Sequence, residues 1–353
     1  MQSRTANCDH NAIVGSNLLA EIGLRARQIL DTDRCAIVSD TNVAPFFGGR
    51  VKKSLTNAGF QPILITIPAG ERFKTLEQAG KICDKMIAAG LDRGSFVIGL
   101  GGGVIGDISG FVAAIFQRGI PHVQIPTTLL AMVDSSIGGK TGVNTRAGKN
   151  LLGAVRHPAL VIDDIEVLKT LPPREFRQGF AEIIKHAIIA DAQLFNKLKR
   201  GDPKKVDLAE IIRRSIAIKS RIVAEDELDR TGERAILNFG HTIGHGIERA
   251  GNYRMFFHGE AVSLGMVAAS AISIKRAGLT RKERDEIVEL LRKFDLPISL
   301  PTNFPRHEIL KALQFDKKFE YGEIRFVVTP KIGSAHLSRD ITIDDIREAV
   351  AAL

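Results

Sequence analysis

The sequence predicts an α/β protein in two parts: an N-terminal Rossmann-like domain with a mainly parallel sheet, and a mostly α-helical C-terminal domain. Two observations support this prediction. In the first half, short β-rich segments alternate with helical patterns, which is typical of parallel strands joined by crossover helices. After about residue 160, almost every pattern has helical periodicity. We therefore predict domains over residues 1–160 and 161–353, with the proline-rich segment Leu171-Pro172-Pro173 close to the boundary.

In the first half, four apolar runs predict strands and three amphipathic stretches predict helices. The predicted strands are 35–38, 62–67, 95–98 and 122–125, and the predicted helices are 51–58, 75–89 and 108–116. The second of these helices carries apolar residues at i, i+3/i+4 spacing and ends at Gly90. The last strand is closed by Pro126.

The second half predicts five helices and one late hairpin. The helices are 175–189, 208–224, 235–249, 260–276 and 281–294, and the hairpin joins 323–328 to 335–337 around Gly333.

Composition restricts the class of protein. Of 353 residues, 44% are hydrophobic and 25% are charged, which excludes disorder, collagen and a coiled coil as descriptions of the whole chain. The net charge of +9 fits an anionic partner. With two Tyr, no Trp and no long basic run, a phosphorylated small molecule is a simpler partner than nucleic acid.

Cysteine usage and hydropathy bear on location. Cys8, Cys35 and Cys83 form no CxxC pair, which is typical of reduced thiols in a cytoplasmic protein. No run of 18 uncharged apolar residues exists, so no membrane span is expected. Residues 1–10 also lack the apolar stretch of a signal peptide.

A glycine-rich turn lies between a predicted strand and a predicted helix. Gly101, Gly103 and Gly106 satisfy GxGxxG, a pattern that suits a pyrophosphate but also serves tight helix–strand packing. The acid expected about 20 residues later for the ribose is missing. Asp40, with Asn42 nearby, ends the first clear strand and is either that acid or a turn residue. The sequence thus predicts a dinucleotide, if one binds, in a modified arrangement.

A group of histidines suggests a divalent metal. His241 and His245 are four residues apart and share one face of a predicted helix, and His258 begins the next helix. Glu182 is a carboxylate in an apolar helical stretch. Three such ligands with an open position would form a catalytic zinc site. The spacing leaves open whether His245 ligates the ion or transfers protons.

A lysine-bearing segment, residues 134–150, is predicted to be an irregular, closely approached loop. Gly138-Gly139-Lys140-Thr141 resembles the end of a Walker A loop, but Asp134 occupies the position of its first glycine, which argues against an NTPase. Lys140, Lys149 and Asn150 suit a phosphate or carboxylate, and the alternative is an exposed surface loop.

Six segments together resemble the 3-dehydroquinate synthase family. They are 101–119, 124–129, 134–144, 181–185, 237–245 and 258–262, and the resemblance extends from about residue 35 to residue 330. It implies an NAD-dependent lyase of the shikimate pathway, usually a cytoplasmic homodimer, that uses zinc or cobalt. The implied reaction converts 3-deoxy-D-arabino-heptulosonate 7-phosphate to 3-dehydroquinate and phosphate, through transient oxidation, phosphate elimination, re-reduction and aldol closure.

The resemblance also implies residue roles. The implied metal ligands are Glu182, His241 and His258. The implied NAD contacts are Asp40, Asn42, Glu71, Lys74, Gly102, Gly103, Asp107, Thr127, Thr128, Lys140 and Lys149. The implied catalytic and substrate residues are Arg118, Asp134, Lys140, Lys149, Asn150, Lys185, Lys219, Arg234, Asn238, His245 and one of Lys317 and Lys318, with Lys318 as the candidate. Arg118 is implied to reach the phosphate across the dimer.

Two other enzyme classes fit the same motifs. One is another sugar-phosphate cyclase, acting on sedoheptulose 7-phosphate or glucose 6-phosphate. The other is a metal- and NAD-dependent glycerol-type dehydrogenase, which would accumulate NADH. A non-enzymatic alternative, a basic nucleic-acid-binding module, would show steep salt-dependent DNA binding.

Overall fold

The computed structural model describes residues 12–227, 230–314 and 324–353. The chain forms two compact units, Met1–Pro172 and Pro173–Leu353. The division falls after Pro172 and not after residue 160, because the strand Leu160–Asp164 pairs within the sheet of the first unit. Within the described residues, no helix is long and apolar enough to cross a membrane.

The first unit is built on a six-stranded sheet. The strands of this sheet are β1 (Ala12–Gly15), β2 (Arg34–Asp40), β3 (Gln61–Ile67), β4 (Phe96–Gly101), β5 (His122–Pro126) and β8 (Leu160–Asp164). The strands β6 (Lys140–Thr145) and β7 (Gly148–Val155) form a separate hairpin. Its helices are α1 (Ile22–Arg27), α2 (Gly49–Asn57), α3 (Leu76–Ala88) and α4 (Gly103–Ile115). The sheet order is β1-β8-β5-β4-β2-β3, and every neighbouring pair is parallel.

The core of this unit explains why its strands form. Every residue of β4 is buried, as expected of a central parallel strand covered on both faces. Ile82 and Met86 of α3 pack with Ile108 and Val112 of α4 in one apolar cluster over the sheet. The α/β prediction is confirmed, although the sequence did not reveal the strands β1 and β8.

The strand order creates a switch point between β2 and β4. The chain passes from β2 to β3 on one side, then returns to place β4 on the other side of β2. In open α/β sheets, ligands bind beyond the carboxyl ends of the strands at such a point. Asp40 ends β2 and Gly101 ends β4, so both residues lie at this edge of the sheet.

The second unit is mostly helical. Its helices are α5 (Pro173–Ala190), α6 (Ala192–Arg200), α7 (Leu208–Glu225), α8 (His241–Ala250), α9 (His258–Arg276), α10 (Arg281–Lys293), α11 (Arg306–Gln314) and α12 (Ile343–Ala351). β9 (Phe326–Lys331) and β10 (Ser334–Ser338) form an antiparallel hairpin. Helix α9 is buried along most of its length and packs against α5, α8, α10 and α12.

Two sequence-based predictions of secondary structure are wrong. The predicted helix 235–249 is instead a short 3-10 segment, Glu233–Asn238, followed by a break and then α8. Gly240 makes the break with a φ of 78°, a conformation that glycine adopts without strain. The predicted irregular loop over 134–150 contains β6 and the start of β7, which pair as an antiparallel hairpin.

Candidate functional site

Three potential metal ligands meet in the second unit. Glu182 lies on α5, while His241 and His258 are the first residues of α8 and α9. Glu182 Oε1 lies 3.5 Å from His241 Nε2 and 3.7 Å from His258 Nε2. The three donor atoms all lie within 4.8 Å of one another. The structure therefore brings together the three residues that the family resemblance implied as ligands.

Close contact between α8 and α9 positions the two histidines. A Cβ at Gly244 of α8 would lie 3.1 Å from the carbonyl oxygen of Ala261 on α9. A Cβ at Gly265 of α9 would overlap the Gly240 carbonyl oxygen, at 1.9 Å. Small residues on both sides therefore allow the helix backbones to touch. The first residues of the two helices are held close as a result.

The N-terminus of α9 is also tied to α5. Arg174 donates two hydrogen bonds to Glu260, from Nε at 2.7 Å and from Nη2 at 2.8 Å, a bidentate pair. The Gly259 N–H donates to Gln178 Oε1 at 3.3 Å. Gln178 lies one helical turn before Glu182 on α5. These bonds hold His258 opposite the carboxylate.

Glu182 is buried in an unusual electrostatic setting. Burial by itself would raise the pKa of its carboxyl, but Lys185, His241 and His258 hold that pKa well below its usual range. Lys185 Nζ, itself buried, forms an ion pair with Oε2. Oε1 is buried and accepts no hydrogen bond in the described part of the chain. A charged oxygen without a donor, facing two imidazoles, fits the N/O ligand set of zinc.

His241 is suited to ligate through Nε2. Burial and the nearby Lys185 ammonium lower its pKa well below the ordinary value, so the ring is neutral at physiological pH. Its Nδ1 lies 3.3 Å from the carbonyl oxygen of Phe239. When Nδ1–H donates to that carbonyl, the lone pair of Nε2 is directed towards Glu182.

Two further residues of α8 adjoin the cluster. The His245 ring is exposed and lies 5.4 Å from the His241 ring and 6.1 Å from the His258 ring, centroid to centroid. Glu248, which the sequence analysis missed, is buried with Oε2 3.5 Å from His258 Nδ1. Burial opposes the charged ring, but the nearby carboxylates of Glu182 and Glu248 raise the pKa of His258 to about 10. The available signal was the spacing, since Glu248 lies on the helix face of His241 and His245.

The other predicted residues of this unit lie on neighbouring elements. Arg234 and Asn238 belong to the 3-10 segment before α8, and Lys219 is buried on α7, which packs against that segment. Arg234 Nη1 donates to the carbonyl oxygen of Glu227 at 2.8 Å. Lys317 and Lys318 lie outside the described residues.

In the first unit, the glycine turn leads directly from β4 into α4. Gly102 is the N-cap residue, and it has no side chain to cap this helix end. Its free N–H groups suit an anion. The Thr127 N–H donates to the Gly101 carbonyl oxygen at 2.9 Å, and a Cβ at Gly102 would lie 3.1 Å from Thr128 Cγ2. The two threonines therefore border the turn, as the resemblance implied for Thr127, Thr128, Gly102 and Gly103.

Asp40 has the structure of a turn residue at the switch point. Its Oδ1 accepts hydrogen bonds from the N–H groups of Asn42 at 2.8 Å and Val43 at 3.0 Å. The position at the end of β2 is the one that a ribose-binding acid needs. Both interpretations of Asp40 are therefore compatible with the geometry.

A polar network surrounds Lys74, which is buried. Its Nζ pairs with Asp107 Oδ2 and donates to Asn150 Oδ1 at 2.6 Å. Burial raises the pKa of Asp107, and Lys74 partly offsets that effect. Asn144 Nδ2 donates to Glu71 Oε1 at 2.7 Å, and the Asn150 N–H donates to Asn144 Oδ1 at 3.0 Å. The network thus joins the predicted nucleotide residues to the β6–β7 hairpin.

The remaining predicted residues of this unit lie around the same hairpin. Lys140 begins β6 and Lys149 is the second residue of β7, and both are exposed. Asp134 follows β5 and is close enough to Asp107 to raise its pKa slightly. Arg118 follows α4 with a φ of 70°, next to Gln117 at 50°.

Comparisons with known proteins give a consistent result. The 3-dehydroquinate synthase N-terminal family matches residues 64–178, and the C-terminal family matches residues 179–319. A 3-dehydroquinate synthase of Symbiobacterium thermophilum is 43% identical over 96% of both chains. One from Nostoc sp. is 47% identical over 89% of this chain and 88% of its own.

Solved structures share the fold. ValA, a 2-epi-5-epi-valiolone synthase of Streptomyces hygroscopicus subsp. jinggangensis with NAD⁺ and Zn²⁺ bound, is 30% identical with a TM-score of 0.86, covering 100% of this chain and 98% of its own. A 2-deoxy-scyllo-inosose synthase complexed with carbaglucose-6-phosphate, NAD⁺ and Co²⁺ is 25% identical with a TM-score of 0.86, over 96% and 95% of the two chains. Since both family domains match and its relatives align over nearly its full length, this chain belongs to the 3-dehydroquinate synthase family.

Proposed function

We propose that this protein converts 3-deoxy-D-arabino-heptulosonate 7-phosphate to 3-dehydroquinate and phosphate. The observation that carries the proposal is the cluster of Glu182, His241 and His258, in a chain whose relatives at 43% and 47% identity are 3-dehydroquinate synthases. The glycine turn at the β2–β4 switch point supplies a site for NAD. The net charge of +9 suits a substrate that carries a carboxylate and a phosphate.

The two cofactors would supply the redox and Lewis-acid chemistry. When bound, NAD⁺ accepts a hydride and later returns it, and a divalent ion such as Zn²⁺ or Co²⁺ makes a substrate hydroxyl more acidic. Glu182, His241 and His258 would hold the ion. The Gly102–Gly103 turn, Asp107, Thr127 and Thr128 would hold the nucleotide, with Asp40 and Asn42 at its ribose.

Side chains of the second unit would prepare the reacting centre. Lys185 keeps Glu182 ionised through a buried ion pair, so that the carboxylate retains its charge without water. His245 is exposed beside the ligand rings and would move protons to and from substrate hydroxyls, with Asn238 as a hydrogen-bonding partner. Lys219 and Arg234 would bind the substrate carboxylate and hydroxyls.

The hairpin of the first unit would bind the anionic substrate. Lys140, Lys149 and Asn150 offer two ammonium groups and an amide, and Asp134 would accept from a substrate hydroxyl. Replacing Lys140 by Ala should therefore raise the KM for the heptulosonate phosphate far more than it raises the dissociation constant of NAD⁺. Lys53→Ala, on α2, is the matched control. Equal losses for both ligands would contradict the assignment.

We also propose a cytoplasmic homodimer in which Arg118 reaches the phosphate bound by its partner. Support comes from the family resemblance and from the positive φ angles of Gln117 and Arg118, a conformation that often marks a functional turn. Inactive Arg118→Ala and Glu182→Ala chains, mixed and allowed to exchange, should regain activity if Arg118 acts across the dimer. No recovery in demonstrably mixed dimers would contradict the proposal.

One assay distinguishes the candidate reactions. The protein is incubated with the heptulosonate phosphate, NAD⁺ and Zn²⁺, and phosphate and 3-dehydroquinate are measured together. We expect equal amounts of both products and no lasting NADH absorbance. NADH that accumulates with turnover would instead indicate a dehydrogenase. Faster turnover of sedoheptulose 7-phosphate or glucose 6-phosphate would indicate a different cyclase.

A further inference from the structure

We propose that Glu248 is a positioning residue of the metal centre: its carboxylate accepts the Nδ1–H of His258 and thereby directs the lone pair of His258 Nε2 towards the ion. The inference rests on the proposed function only in requiring a metal at the cluster of Glu182, His241 and His258. No sequence motif assigned a role to Glu248.

The geometry of the His258 ring carries the argument. Its Nε2 lies 3.7 Å from Glu182 Oε1, on the side of the metal ligands. Its Nδ1 lies 3.5 Å from Glu248 Oε2, on the other side. A neutral imidazole has one N–H and one lone pair, so a ring that ligates an ion through Nε2 keeps its proton on Nδ1, where Glu248 is placed to accept it. The nitrogen on the cluster side is then free to ligate.

Helix α8 holds Glu248 in place. His241 and Glu248 are seven residues apart, so both side chains lie on the same face of this helix. The glycine contact between α8 and α9 fixes the axial position of that face relative to His258. Glu248 is 7% exposed, so little water competes for its carboxylate. One helix therefore supplies a direct ligand and the residue that orients a second ligand.

A second metal ion is the main alternative. Donor atoms of His245, Glu248 and His258 also lie within 4.8 Å of one another. For one imidazole to ligate an ion on each side, it would have to lose both protons. The neutral ring satisfies one ion and one carboxylate with no such loss, so we favour the positioning role.

The test measures zinc binding and not turnover. Zn²⁺ affinity of the apoprotein is determined by competition with a chromophoric chelator for the wild type, Glu248→Gln, Glu248→Ala and the exposed control Glu289→Gln on α10. Loss of an outer-shell carboxylate should weaken Zn²⁺ binding by about 10–100-fold in Glu248→Ala. Glu248→Gln should lose less, because its amide oxygen still accepts a hydrogen bond. Unchanged affinity in both variants would overturn the proposal.

Two further readouts separate positioning from a structural role and from a second ion. Zn²⁺ affinity is compared at a temperature where circular dichroism shows that apo Glu248→Gln and apo Glu289→Gln are both fully folded. The affinity of Glu248→Gln should be lower under these conditions, and equal affinities would overturn the proposal. Saturated wild type and Glu248→Ala should both hold one ion per chain. A fall from two ions to one would also overturn it. A wild type that binds no Zn²⁺ would instead reject the metal centre and the proposed function.

Discussion

Gly265 of α9 lies so close to Gly240 that a Cβ at position 265 would come within 1.9 Å of the Gly240 carbonyl oxygen. The same Cβ would lie 2.9 Å from the Gly244 nitrogen at the start of α8. Both neighbours are backbone atoms, which cannot rotate away. Only glycine at position 265 therefore allows α8 and α9 to approach this closely. The closeness of His241 to His258 depends on the same contact.

Replacing Gly265 by Ala should force α8 and α9 apart. We expect a loss of about 1–3 kcal/mol in the free energy of unfolding, which is typical of overpacking, together with weaker Zn²⁺ binding. Urea denaturation and chelator competition measure the two effects. Gly80→Ala on α3 is the control, because its Cβ would meet nothing within 4 Å. In that helix, alanine should be neutral or stabilise by up to about 1 kcal/mol. Equal stabilities of the two variants would contradict this account.

The sequence singled out the residues that cluster, Glu182, His241 and His258, better than it placed the start of the helix that carries His241. Spacing alone placed His241 and His245 on one helix face, as observed. The same periodicity extended the helix back to residue 235, because a hydrophobic pattern does not register one glycine with positive φ. The spacing also places Glu248 on the face of His241 and His245, but it does not show that Glu248 contacts His258 of another helix, so Glu248 was missed.

The β6–β7 hairpin shows a second limit. Its several glycines indicated an irregular, closely approached loop, so no strands were predicted there. Its backbones instead approach closely at Gly142 and Gly153, where a Cβ would lie 2.7 Å from the Leu152 oxygen and 2.3 Å from the Thr141 oxygen. The pairing of glycine with glycine across two strands is a tertiary feature. In contrast, the strands β2 to β5 carry their own apolar signal and were predicted.

Glu182→Gln should lower the affinity for Zn²⁺ more than either substitution of Glu248 does. The substitution keeps the size of the side chain but removes the charge that faces both imidazoles and pairs with Lys185. We expect Zn²⁺ affinity to fall by more than about 100-fold, beyond the usual effect of an outer-shell residue, and turnover to be lost. Equilibrium dialysis with zinc and phosphate release measure the two. The exposed Glu289→Gln on α10 is the control. Full metal content with near-normal activity would reject Glu182 as a ligand.

Lys74 and Asp107 should be energetically coupled. Breaking a buried ion pair leaves one uncompensated charge, and because Asp107 is partly exposed we expect Lys74→Met to cost about 2–3 kcal/mol, less than a fully buried pair. Asp107→Asn alone should also destabilise, since Lys74 then lacks its anion. The double variant Lys74→Met/Asp107→Asn should recover part of the loss. Urea denaturation of all four proteins gives the coupling energy. Strictly additive losses would show that the pair contributes no interaction.

His122 of β5 should make the first unit sensitive to acid. Burial, with help from Arg156 and His157, lowers the pKa of His122 from 6.5 to about 3, so the folded chain keeps this ring neutral. Between these values the unfolded chain binds the extra proton, and stability therefore falls as the pH decreases through that window. The slope for this one group approaches about 1.4 kcal/mol per pH unit. His122→Gln removes the titration, so its free energy of unfolding should fall less steeply than that of the wild type between about pH 6 and pH 4. The exposed His336→Gln on β10 controls for the loss of a histidine. Parallel pH profiles for the wild type and His122→Gln would contradict the prediction.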